Sequence, residues 1–190
     1  MNSDPVQDYI LEDENKLSIA VAVSAAWSEA GERLVSGFLD RLHSRLEEKL
    51  KGWKFDRWNC YLKDSEADFT FWKPEWKQEY YVILAFFDQG HCVEFGLGRD
   101  ASQEHIRKRL HCDELLAAVR ERYPSASNRK WWEAAVTLQS PAAHWQEPKV
   151  LWQMHKDPKF LEDVAEQLLG VAEISERIVD RFVDRLARKK

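Results

Sequence analysis

Hydrophobic positions change period twice along this chain. Between residues 16 and 50 they recur every three or four residues, through Ile19, Val23, Trp27, Ala30, Leu34, Phe38, Leu42, Leu46 and Leu50, the spacing of one helix face. An unbroken helix over that span would run roughly 50 Å. Gly31 and Gly37 lie inside it and leave open a kink or two consecutive helices, and Gly52 is a stop. From Trp53 onward the pattern becomes strand-like, with aromatic and β-branched runs at 53–62, 67–73, 78–87 and 91–97. Short polar linkers separate them, and Gly90 after Asp88 and Gln89 supplies the left-handed residue of a hairpin loop. The pattern predicts an antiparallel meander. Residues 79–87 are almost continuously apolar, as expected of a central strand covered on both faces. Val93, Phe95 and Leu97 alternate with Cys92, Glu94 and Gly96, the pattern of a half-exposed strand.

Helical signals then return. Ser102 caps a helix over 103–110 and Asp113 caps another over 114–122, which Tyr123 and Pro124 end. Residues 124–130 read as a polar loop and 140–148 as irregular, while 131–139 fit either a fifth strand or a short helix. Asp157 followed by Pro158 starts a last helix that runs to about residue 188. In it Leu161, Leu168 and Phe182 share one heptad position, interrupted by Ser175, and Val164, Val171 and Ile178 share the other. That stripe packs against the first helix or the sheet, or else forms a dimer seam. The fold class expected is α+β: a four- to five-stranded antiparallel meander flanked by long N- and C-terminal helices. An acidic lead (1–15) precedes one domain (16–190), helical at 16–51, sheet at 52–98, helical and mixed at 99–155, with the long helix at 157–188.

Composition narrows the function classes. The 190 residues are 44% hydrophobic and include nine tryptophans, enough for a substantial core. The net charge of −5 is matched by the lead alone, through Asp4, Asp8, Glu12, Asp13 and Glu14, so the remainder sums to zero. A globally basic nucleic-acid binder is disfavoured. The lead reads as a solubilising flap or as a partner for the basic tail. Cys60, Cys92 and Cys112 have the odd count and wide spacing of reduced thiols, residues 1–15 lack a signal peptide's apolar run, and no stretch is long enough to span a bilayer, which points to the cytoplasm.

No complete catalytic, metal or cofactor motif is present. Asp64 or Asp68 with Glu75, Trp76 and Lys77 has the D…ExK form of Mg²⁺-dependent nucleases, but Pro74 sets the triplet in a turn. His105 and His111 are six residues apart, off the three- or four-residue spacing of helical zinc ligands. His91 beside Cys92 lacks an identifiable catalytic partner, and Gly96-Leu97-Gly98 reads as a strand end rather than a nucleotide-binding loop. The aromatic meander offers more. Trp58, Trp72 and Tyr81 with Lys54, Arg57 and Lys73 could stack bases and meet phosphates. Most of the rings are expected in the core, the exceptions being Trp76 in its turn and Trp131 with Trp132 after a polar loop. With Trp58, Trp72, Arg129 and Lys130, these form the candidate surface for a protein partner.

Three segments carry a resemblance: YYVILAFFDQGHCVEFGLG beginning at Tyr80, KWWEAAVTLQSPAAHW beginning at Lys130, and LEDVAEQLLGVAEISERIVDRF beginning at Leu161. Their order resembles the C-terminal part of PD-(D/E)XK-type phage-defence or restriction-like proteins, whose nuclease site lies upstream in a segment this chain does not have. The resemblance implies an accessory or recognition module without catalytic residues, or a small protein that binds and blocks a bacterial defence complex. The expected function is therefore a non-enzymatic protein-interaction module, with no cofactor, no metal and no membrane, acting as a monomer or as a homodimer through the C-terminal helix. Nucleic-acid binding through the sheet is the second reading, and a metal-dependent nuclease the third.

Overall fold

The computed structural model describes residues 4–58, 66–77, 79–87, 92–100, 112–129, 131–139 and 142–188. The Gly90 hairpin, the 103–110 helix, Lys130, Asp64, His91, His105, His111 and Cys60 therefore lie outside the described residues. The chain begins with two helices, α1 (Pro5–Ile10) and α2 (Glu14–Lys49). Asp4 caps the first by accepting from Val6 N, and Asp13 caps the second by accepting from Lys16 N, each at 2.9 Å. Within the acidic lead, Pro5–Ile10 form a short helix that contacts α2. α2 runs 36 residues without interruption, about 54 Å. Gly52, at φ 83, follows its end.

Among the described residues the sheet is antiparallel throughout and has six strands: β1 (Lys54–Trp58), β2 (Glu66–Trp72), β3 (Tyr80–Phe87), β4 (Cys92–Arg99), β5 (Ser127–Arg129) and β6 (Trp132–Thr137). Its order is β1-β2-β3-β4-β6-β5, so the expected meander is extended by one late hairpin. Residues 131–139 resolve to a strand. The expected polar loop contributes β5, which is only three residues long and carries few apolar side chains to signal it. Helices α3 (Cys112–Arg122), α4 (Pro148–Lys156) and α5 (Pro158–Ala187) complete the chain.

Helices α2, α3, α4 and α5 form a layer on one sheet face. Phe69, Phe71, Val82, Leu84, Phe86, Val93, Phe95 and Leu97 meet Val35, Phe38, Leu39, Leu42 and Leu46 of α2 and Val164, Leu168, Val171 and Ile178 of α5. Trp145 sits at the centre, edge-on to Phe38 at 5.2 Å and Phe86 at 4.6 Å, with its indole N–H donating to Ala142 O. The α5 stripe is buried in the chain's own core, which is the packing reading of its heptads.

The expectation of a half-exposed β4 fails. Every residue from Val93 to Arg99 is buried, because β4 lies between β3 and β6 and its second face is also covered. Ile83, Ala85, Trp132 and Ala135 form a smaller cluster there, with Tyr81 and Phe87 against it. The two glycines mark close approaches inside the strand rather than its end. A Cβ on Gly96, at φ 155, would stand 1.9 Å from Ala134 O, and one on Gly98 would stand 2.4 Å from the Tyr81 ring. The register shifts between Leu97 and Gly98 where β6 pairs, a bulge that turns Trp132 inward opposite Gly98.

Candidate interaction surfaces

The turn tryptophan is not a surface residue. Pro74 opens a 3-10 turn over Pro74–Trp76, and Lys77 closes it in the left-handed region at φ 52. This folds Trp76 back under α5, where it is 1% exposed. Its ring packs edge-on to Trp53 at 5.1 Å and its Nε1 donates to Asp180 Oδ1 at 2.8 Å. Lys73 beside it donates to Asp180 and Glu176 at 2.6 and 3.0 Å. Burial pulls the Lys73 ammonium down, but these bonds and the charge of both carboxylates more than offset that and hold it above the ordinary lysine value. A polar loop with a proline therefore reads as exposed in sequence, while α5, some hundred residues later, covers it.

The tryptophan pair divides. Trp131 is 52% exposed, whereas Trp132 is 6% exposed and packs in the second-face cluster. Arg129 is half-exposed and donates to Glu94 Oε2 at 2.8 Å. Trp72 is half-buried at the rim of the main core, and Trp58 ends β1 with its side chain outside the described residues. β2 and β6 stand three strand spacings apart, roughly 14 Å. The expected patch is therefore not one surface: among the described side chains of its tryptophans, Trp131 is the one more than half exposed.

Two of the three phosphate-binding candidates are engaged elsewhere, and Lys54 is exposed on β1. Arg57 turns toward the helix layer, donating to Asp40 Oδ1 and Leu39 O at 2.8 Å each, and Lys73 is held by α5. The second sheet face carries acids instead. Asp68 is pushed up to about 6, first by burial and then by the charge of Asp56 on the same face of the neighbouring strand. Tyr81 is pushed up to about 12 by burial, with Asp68 and Asp100 adding to the shift. At the β4–β6 end Arg99 donates to Glu133 at 2.5 Å, and Asn128 donates to the Glu133 carbonyl at 3.1 Å. Among the described residues no group of three or more His, Cys, Asp or Glu is placed to hold a metal. Asp68 lies on β2, while Glu75 and Lys77 are exposed on the turn under α5.

A surface that the candidate set missed lies at the other end of the molecule. Burial of α2 begins at Gly31, where α4 crosses it with Leu151 3.7 Å from the position a Cβ would take. The part of α2 before that point projects as an arm with α1 folded against its tip. Val6 and Tyr9 on α1, Leu11 at its C-cap, and Leu17, Ile19, Val21, Val23 and Trp27 on α2 are all exposed, from 43% at Leu17 to 71% at Leu11. The stretch 17–28 holds no charged residue, and its apolar positions go all the way round the helix. A helix of that kind is normally buried. The signal was present in sequence as the chain's most apolar helical run. Periodicity counted it as one stripe continuous with the core-facing half and so concealed that, among the described residues, no element of the core covers it. No helix among the described residues is long and apolar enough to cross a membrane.

No protein-family model, no curated protein and no solved structure matches this chain.

Proposed function

We propose that this chain is a non-enzymatic protein-interaction module that docks through the arm formed by α1 and the first half of α2. The observation that carries the reading is the arm itself: eight large apolar side chains project beyond the core, five of them on a stretch of α2 apolar on every side. Contiguous exposed apolar surface of this kind marks interaction sites. Carboxylates at the tip disfavour an anionic membrane surface, which attracts helices with Lys and Arg on their polar face. The second sheet face, with Asp56, Asp68 and Glu94, is a poor match for phosphates. The resemblance of the meander and closing helix to PD-(D/E)XK-type defence proteins supports a cytoplasmic accessory or inhibitory role in conflict between bacteria and phage.

The test is affinity capture from the native host, with and without nuclease, using the wild-type chain and a Val21→Glu, Val23→Glu variant. Both valines are 62% exposed, so the variant keeps the fold. The expected result is a nuclease-resistant protein partner, another copy of the chain included, that the variant loses. Association abolished by nuclease, or unchanged by the variant, overturns the proposal.

A further inference from the structure

We draw no further inference here: the strongest candidate, the exposed apolar arm of α1 and the first half of α2, already carries the function proposed above, and nothing in the structure shows what covers it, since Glu29, Glu32 and Glu147 offset Arg33, Lys149 and Lys156 at its base.

Discussion

Replacing Trp76 by alanine separates the tertiary account of this turn from a surface account. The ring is 1% exposed, edge-on to Trp53, and held by α5 through Asp180. Truncating a buried tryptophan to alanine costs about 3–5 kcal/mol, from lost transfer energy and the cavity left behind. The lost bond to Asp180 adds at the low end of the range for a charged acceptor, about 1.5 kcal/mol, because Lys73 still bonds that carboxylate and water reaches it. About 4.5–6.5 kcal/mol in total is a large part of a typical stability of about 5–15 kcal/mol. Urea unfolding followed by far-ultraviolet circular dichroism measures it without interference from the other tryptophans. At a slope of about 2.5 kcal/mol per molar, the midpoint should fall by about 1.8–2.6 M. Trp76→Phe, which retains most of the buried ring but not the N–H, should lose about 1–2 kcal/mol. Trp131→Ala, at 52% exposure, should stay within about 0.5 kcal/mol of wild type. A Trp76→Ala chain as stable as Trp131→Ala would refute the packing of this turn beneath α5.

Three further outcomes follow from the buried polar groups and the β4 glycine. Glu133→Leu removes the carboxylate from a guanidinium that is 4% exposed and should cost about 3–5 kcal/mol, while Arg99→Met together with Glu133→Leu should recover most of it; additive losses in the denaturation cycle would contradict the coupling. The folded chain binds the Asp68 proton more tightly than the unfolded chain does, so its contribution to stability falls as pH rises from about 3.8 to about 6 and is constant above. Asp68→Asn should therefore be more stable than wild type above pH 6 (about 3 kcal/mol at full burial, on the order of 1–2 kcal/mol after screening of this half-buried group), with the gap closing below about pH 4. A pH-independent difference in urea midpoints would remove the assignment. Gly96→Ala should lose about 3 kcal/mol or more, since its Cβ meets a backbone carbonyl that cannot swing aside, and a near-wild-type melting temperature would contradict the β4–β6 bulge.

Local pattern by itself determined much of this protein. The helical period through Leu34, Phe38, Leu42 and Leu46, the aromatic strands from Phe55 to Leu97 and the Asp157-Pro158 helix start all mark elements that the structure contains. Each rests on interactions among residues close in the chain or on a two-sided apolar run, as in Tyr80–Phe87. Only the tertiary structure decided exposure. A polar turn hides Trp76 because α5 returns over it, and one residue of register at the β4–β6 bulge turns Trp132 inward while Trp131 stays outside. The same helical period fills the core after Gly31 and stands bare before it, since burial depends on whether another element arrives, and α4 arrives only at Gly31. Periodicity records which residues share a face. What that face meets is fixed by contacts between segments a hundred residues apart.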